Sequence, residues 1–211
     1  MCGRYALHAQ PEVVALQFGL AALPEYKASY NVCPGTNVLA VRLGRDGRRV
    51  AGLNHWGLGG RLANARAETI DEKPAFREAF RRWRCLVPAS GYYEWKSIAG
   101  RKLPWYMRPA DGALFGLAGV RAFWNGQHTV SLITVAPNAL VQSIHDRMPL
   151  IIATGDYDAW LGEGNAKNLL KPYAADRMQA HPVSARVNRP ENDDAALVEP
   201  SDEVPPQRDL L

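Results

Sequence analysis

The chain has no apolar run near the ~20 residues that cross a bilayer as a helix, and its start lacks the charged-then-apolar order of a secretory signal. A soluble, cytoplasmic protein with no membrane contact is expected, nucleoid-associated if the source is bacterial. Cysteine is scarce: Cys2, Cys33 and Cys85 are odd in number and lack the close pairing of a metal knuckle, which excludes a disulfide framework and a zinc site. No metal or other cofactor is expected. The sequence also lacks a G-x-x-x-x-G-K-[ST] loop, a G-x-S-x-G elbow, an H-E-x-x-H pair and any internal repeat, so nucleotide-binding, serine-hydrolase and zinc-protease readings lose their usual support.

Acidic residues are sparse everywhere except at the end. Glu191 to Leu211 holds seven acids against Arg208 alone, a charge of −6, so with a net charge of +4 the rest of the chain carries +10. A body that basic suits a polyanion, although a solvated basic surface is as common. The 211 residues, 47% of them hydrophobic, are enough for one buried core, and a single domain over residues 1–190 with a disordered acidic tail at 191–211 is expected.

Within the body, Pro11 to Phe18 reads as a short helix with proline at its start and Gly19 at its end. Ser29 to Gly35 is turn-rich. Val38–Val41 reads as a buried strand, and Asp46-Gly47 turns the chain into a second strand ending near Trp56. Pro74 to Trp83 places Phe76, Ala79, Phe80 and Trp83 at helical spacing toward the core, and Arg84 after it reads as a solvated arginine or a phosphate contact. Further strands are expected at Trp105–Met107, Leu114–Val120 and Thr129–Val135, the last two joined by Asn125-Gly126. Pro137 opens a helix to Ile144. Short helices at Asp156–Leu161 and Asn168–Tyr173 and a final strand at His181–Val187 complete the expected elements.

Four stretches carry chemistry. Cys2 directly follows an initiator methionine that can be trimmed, and an N-terminal cysteine offers a thiol and an α-amine on neighbouring carbons. With free pKa values of ~8.5 and ~7.7–8.0, both are partly unprotonated near neutrality, and together they close an aldehyde into a five-membered thiazolidine. Ala63 to Thr69 alternates alanine with polar residues, so period 2 puts Asn64, Arg66 and Glu68 on one face, as either a site wall or an ordinary edge strand. Gly91-Tyr92-Tyr93-Glu94-Trp95 sets Tyr92 and Glu94 on one face and Tyr93 and Trp95 on the other. An acid among three aromatics is either capped by a hydrogen bond or held in an apolar niche with a raised pKa, the condition for a general acid near neutrality. His145-Asp146-Arg147-Met148-Pro149 presents a histidine between irregular backbone and an apolar run; such a histidine is structural or catalytic.

Taken together, Met1-Cys2-Gly3-Arg4-Tyr5, Trp56-Gly57-Leu58, Asn64 to Thr69, Arg84-Cys85-Leu86-Val87-Pro88-Ala89, Gly91 to Trp95 and His145 to Pro149 resemble the SRAP (SOS response-associated peptidase) family, over most of residues 1–190. The resemblance implies an α+β fold, a single compact domain with a strongly bent, mainly antiparallel β-sheet or barrel and peripheral helices. It implies capture of abasic sites in single-stranded DNA through a thiazolidine on Cys2, with DNA as the partner of a monomer. By that resemblance Cys2 is the nucleophile, Asn64 positions the N-terminus or the sugar, Glu94 is the acid/base and His145 its partner in opening the sugar ring. Arg4 and Arg66 are the implied phosphate ligands, and Arg147 and Trp56 are further candidate DNA contacts.

In one respect the chain departs from that family. Only Gly59-Gly60-Arg61-Leu62-Ala63 separate Leu58 from Asn64, where members usually carry a longer segment with proline and tryptophan. The shortening implies an altered DNA groove and weaker affinity, with the chemistry untouched. Two rival readings use the same residues: an N-terminal-nucleophile hydrolase or autopeptidase in which the amine of Cys2 is the base, and a non-covalent single-stranded DNA-binding module in which Cys2 is incidental.

Overall fold

The computed structural model describes residues 2–201. After β1 (Tyr5–Leu7) comes α1 (Pro11–Phe18), which has proline in its first turn and ends as the sequence predicts, on Gly19 in the left-handed region at φ 65°. β2 (Ser29–Val32) lies in the stretch expected to be turn; pairing with β1, Tyr5 opposite Val32, overrides its local composition. β3 (Asn37–Leu43) and β4 (Arg49–Trp56) form the expected hairpin. β5 (Asn64–Arg66), α2 (Pro74–Arg82), β6 (Arg84–Ala89), β7 (Gly91–Ile98), β8 (Arg101–Pro109), β9 (Phe115–Trp124) and β10 (Gln127–Val135) follow, then β11 (Met148–Pro149), β12 (Ile151–Ile152), α3 (Tyr157–Leu161) and β13 (Met178–Pro182). Asn125 and Gly126, at φ 47° and 79°, make the tight turn between β9 and β10.

The pairings build one α+β domain from two sheets. In the larger one, β10 runs parallel to β4 and antiparallel to β9, β9 pairs β6, β6 pairs β3 and β3 pairs β4, so the strands close on themselves as a barrel. β9 and β10 separate beyond Gly119 and Leu132, and residues 148–152 wedge between them: β11 pairs β10, β12 pairs β9, and Leu150 bridges both through its N–H to Ile133 and its carbonyl to Ala118. That wedge holds the loop carrying His145 against the barrel end. The second sheet runs β13-β8-β7-β1-β2. Its central strand needs Gly91, because a Cβ there would lie 2.5 Å or less from the Tyr106 ring and the Met107 carbonyl.

Alternation along β7 separates two cores as expected. Tyr92 packs toward the barrel, its ring tilted on Phe115 with centroids 6.1 Å apart, whereas Tyr93 faces a smaller cluster of Ala6, Tyr106, Val183, Val187 and Leu197, with Trp95 packed against it.

Several expectations are corrected. The alternating strand at Ala63–Thr69 ends at Arg66, and Ala67–Thr69 is a 3-10 turn that still buries Ala67. Trp83 is exposed, because the chain leaves the helix at this residue (φ −130°, ψ 42°). Arg84 is buried and structural: its guanidinium donates to the carbonyls of Trp160, Phe80 and Gly162. Residues 137–144 are a loop with a 3-10 turn at Val141–Ser143, since Asn138 competes for the backbone: its Oδ1 accepts from Val141 N–H (2.9 Å) and its Nδ2 donates to the Tyr173 carbonyl (2.8 Å). The helix expected at Asn168–Tyr173 is a 3-10 turn at Ala166–Leu169, and the last strand lies earlier, ending at Pro182.

The tail is also corrected as far as residue 201. Asp193 Oδ1 accepts from Tyr30 N–H (2.6 Å) and Ser29 Oγ (3.1 Å), Asp194 pairs Arg186 at 2.6 Å, and Leu197 is buried in the smaller cluster. An apolar anchor and two caps give this acidic stretch what a solvated polymer lacks. The remainder of the tail expected to be disordered, residues 202–211, lies outside the described residues.

Candidate active site

β1 and β7 run side by side, antiparallel with Tyr5 opposite Tyr92, so the residues before β1 run on toward Glu94, which stays paired with Trp105 of β8 on the other edge. Cys2 is buried there. Its carbonyl accepts from Asn64 Nδ2 at 2.9 Å, and its thiol accepts from the Arg4 backbone N–H. Burial, and next the negative charge of Glu94, raise the thiol's pKa far above its ordinary value, so the sulfur is held as S–H at neutral pH.

Asn64 is delivered by the short loop after β4. β4 and β5 pair with the same strand, β10, one after the other: Trp56 opposite Val130, then Asn64 opposite Leu132. The intervening residues must bulge out and return, and three bonds pin the return: Trp56 Nε1 and Leu132 N–H both donate to the Ala63 carbonyl at 2.9 Å, and Ser131 Oγ donates to the Leu62 carbonyl at 2.5 Å. Trp56 is thus buried beneath the loop, its ring against Tyr5 (centroids 5.4 Å), and has no face for DNA; its expected role as a DNA contact is corrected to that of an anchor for Asn64.

Glu94, buried, has its carboxyl pKa raised to about 7 by desolvation, with a hydrogen bond from Trp95 N–H acting the other way. Its Oε2 lies 3.7 Å from His145 Nε2. Two contacts compete for His145 Nδ1: the Arg147 backbone N–H at 3.0 Å, which needs Nδ1 as acceptor, and Asp146 Oδ1 at 2.9 Å, which needs it as donor. The N–H is a fixed donor with no other acceptor in reach of its geometry, while the Asp146 side chain is 86% exposed and open to solvent, so we assign the proton to Nε2, facing Glu94. Partial burial lowers the His145 pKa, which favours this neutral ring.

The four arginine and tryptophan candidates therefore divide. Arg147 forks onto Glu68 (Nη1–Oε1 2.5 Å, Nη2–Oε2 2.9 Å) and donates to the Thr134 carbonyl, so it braces the His145 loop against β5 and β10. Glu68 is the partner that the sequence placed on the right face without a role; its carboxyl pKa is held low chiefly by the Arg147 hydrogen bond. Arg4 is half-buried, with Nη1 donating to Asn31 Oδ1 and the Val187 carbonyl, both at 2.7 Å, and so ties β1 to the C-terminal segment. Arg66 is exposed at the end of β5, two positions from Asn64 on the same face. Among the described residues, no group of three or more His, Cys, Asp or Glu could hold a metal ion.

Residues 1–190 match the model of the SOS response associated peptidase (SRAP) family. The chain belongs to the SRAP family. It is 38% identical to the abasic site processing protein YoaM of Bacillus subtilis, over 94% of this chain and 98% of that one, and 28% identical to the abasic site processing protein YedK of Escherichia coli, over 95% and 100%. In fold it is similar to a crystal structure of a protein from Bacteroides thetaiotaomicron (TM-score 0.81, 27% identity, 95% of this chain and 100% of that one). A second, from Bordetella bronchiseptica, has a TM-score of 0.77 at 26% identity, over 87% and 100%. Of the SRAP blocks quoted from the sequence, those of Trp56, Asn64, Glu94 and His145 meet near the block that holds Cys2, whereas Arg84–Ala89 is the buried strand β6 of the barrel.

Proposed function

We propose that this protein processes abasic sites in DNA, and that it does so by trapping the sugar aldehyde in single-stranded DNA as a thiazolidine on Cys2 once Met1 is removed. The observation that carries the reading is the meeting, beside Cys2, of a carboxyl whose pKa burial raises to about 7 and an imidazole that burial keeps neutral, 3.7 Å apart. The relatives named abasic site processing proteins support the substrate.

An abasic deoxyribose is mostly a closed hemiacetal. Protonated Glu94 gives its proton to the ring oxygen while water takes the C1 hydroxyl proton, and the aldehyde appears; a proton returns to Glu94 from solvent, and the Nε2–H of neutral His145, 3.7 Å away, faces the carboxylate in the interval. The α-amine of Cys2 adds to the carbonyl carbon, and the carbinolamine loses water to give an imine. The thiol then adds to the imine carbon, its proton ending on the nitrogen, and the five-membered ring closes. Overall, aldehyde, amine and thiol give thiazolidine and one water, with no oxidant. Keeping the sulfur as S–H is consistent with this order, since the amine attacks first and the thiol proton is needed at nitrogen. Asn64, bonded to the Cys2 carbonyl, fixes the residue that carries both nucleophiles.

Single-stranded DNA with one abasic site, mixed with the protein and run under denaturing conditions, tests this. The expected product is a heat-stable adduct whose mass equals DNA plus the protein without Met1, less one water. Salt-reversible binding with no adduct would favour the non-covalent module. Turnover of a peptide amide without an adduct would favour the hydrolase.

A further inference from the structure

Glu94 and His145 line a cavity of about 660 Å³. Another, of about 510 Å³, lies elsewhere on the molecule and falls within the roughly 300–1,000 Å³ of small-molecule sites. Tyr106 and Arg108 of β8 are on its wall. Tyr106 is the register partner of Tyr93, and directly opposed residues share a face, so Tyr106 and, two residues on, Arg108 point away from the Glu94 side of the sheet. His8, just after β1, and Ser90, just before β7, also line it, which puts it at the ends of those strands remote from Cys2. The proposed trapping chemistry uses none of these residues.

Three hydrogen-bond donors without acceptors meet around Gly91. A Cβ on that glycine would lie 2.5 Å from the Tyr106 hydroxyl, so the phenol stands over bare backbone. Tyr93 uses its own hydroxyl on the Tyr30 carbonyl at 2.7 Å, whereas the buried Tyr106 hydroxyl makes no hydrogen bond among the described residues. Ser90 is buried too. Its Oγ accepts from His8 N–H at 3.1 Å, and its O–H has no acceptor among the described residues. Arg108 is half-buried, and its guanidinium makes neither a hydrogen bond nor an ion pair among them. Burial raises the Tyr106 pKa and the charge of Arg108 acts the other way, so the phenol stays a donor and feels the guanidinium. The rest of the wall is apolar and held in place. Val13, Pro109, Leu114 and Val198 line it; His181 Nε2 bonds the Val198 carbonyl at 2.8 Å, and the His181 ring meets Tyr106 edge-on, centroids 5.8 Å apart. His8 stacks on Tyr30, and burial lowers its pKa, so it adds no charge at neutral pH. Glu199 is the acid on this wall, and it is exposed. One guanidinium fork and two hydroxyls, with an acid nearby, match a single carboxylate better than a phosphate dianion.

We propose that this cavity binds a small carboxylic acid with an apolar body, the carboxylate held by Arg108, Tyr106 and Ser90 and the body lying against Val13 and Leu114. The inference is independent of the abasic-site reading. Calorimetric titration of the full chain with hydrocinnamate should show saturable binding at one site with a Kd of about 1 mM or below. Its neutral amide should bind roughly tenfold more weakly or worse. Arg108→Gln should weaken hydrocinnamate by roughly tenfold or more, and Tyr106→Phe, which keeps the ring and removes only a hydroxyl, by several-fold. Neither change breaks a side-chain hydrogen bond among the described residues, so both variants should unfold in urea with wild type, and lost binding is then not lost fold. Inorganic phosphate and an N-acetylated tripeptide ending in phenylalanine test other sources of the anion. Tighter binding of either than of hydrocinnamate overturns the small acid as the ligand. Equal affinity for acid and amide, affinity unchanged in both variants, or no saturable binding at millimolar acid overturns the site.

Discussion

Cys2 and Cys85 are both fully buried, and burial raises both thiols, Cys85 to about 12. What surrounds them differs. Cys85 lies on β6 against Gly119, its carbonyl accepting from Trp160 Nε1, and the neighbouring Arg84 gives its guanidinium entirely to backbone carbonyls. Those polar groups close the core. Around Cys2 the polar groups stop short of closing: Glu94 titrates near neutrality, His145 stands 3.7 Å off, and Arg66 faces outward. Burial by itself makes an inert thiol. In the proposed reaction it is proton-transfer partners at a cavity wall, with an amine on the adjacent carbon, that make a trap.

The contrast is broken most directly at the sulfurs. Cys2→Ser should abolish the heat-stable adduct, because oxygen gives no thiazolidine, and so should an uncleavable extension before Cys2. Cys85→Ala should cost stability, by about 1–2 kcal/mol for a small cavity, and leave the adduct in place. Mass spectrometry of the adducts decides between them. An adduct on Cys2→Ser would move the chemistry elsewhere.

Next in size is the acid. Glu94→Gln should slow single-turnover trapping by roughly 10²–10⁴-fold with little change in DNA affinity. The pH profile gives the sign: the step needing protonated Glu94 fades as pH rises through about 7, while the amine, with a free pKa of ~7.7–8.0, is increasingly protonated below that range. Wild type should therefore show a bell, and Glu94→Gln should lose its alkaline limb. The same carboxyl affects stability. Its pKa is raised on folding, from 4.5 to about 7, so the folded state is favoured while the group is protonated and loses up to about 3 kcal/mol as pH climbs from about 4.5 through 7. Relative to wild type, Glu94→Gln should be more resistant to urea at pH 8 than at pH 5. An unchanged difference would mean the carboxyl titrates normally.

On the closed side of the comparison, Arg84→Ala should destabilise by several kcal/mol, since it strands buried carbonyls at Phe80 and Trp160 that accept charge-assisted bonds. Urea titration reads it. A loss below about 1 kcal/mol would make Arg84 the solvated arginine its sequence position suggested.

The barrel hairpins, α1 and the facing of Glu94 were legible because period, turn residues and caps act locally: Asp46-Gly47, Asn125-Gly126 and the Pro11 and Gly19 bracket each have one cheap conformation. The elements lost were those where distant partners win, such as Asn138 diverting a helix toward Tyr173, Leu197 docking an acidic stretch, and Arg84 finding carbonyls on α3. The site residues were nameable through the resemblance, but their division of labour was not. Nothing local distinguishes Arg147, forked on Glu68, from Arg66, two positions from Asn64. Sequence alternation said that Glu68 and Arg66 share a face; only the wedge of residues 148–152 decides which arginine Glu68 neutralises.

That division makes the smallest and sharpest prediction. Phosphate binding depends on releasing counterions, so each arginine that contacts a phosphate steepens the fall of affinity with salt by a slope of about 0.7 for a single strand. Arg66 is exposed on the Asn64 face and is available for that contact, whereas the charge of Arg147 is already matched by Glu68. Arg66→Ala should lower single-stranded DNA affinity several-fold at low salt and flatten the log–log salt slope by roughly one contact's worth, with unfolding unchanged. Arg147→Ala should leave that slope within error but lower the trapping rate and the stability together, because the His145 loop loses its brace. Glu68→Gln separates charge from bracing: it frees a positive charge at Arg147 while keeping one acceptor, so its salt slope should steepen. If Arg147→Ala flattened the slope as much as Arg66→Ala does, the ion pair with Glu68 would have to open on DNA binding, and the two arginines would act as one site.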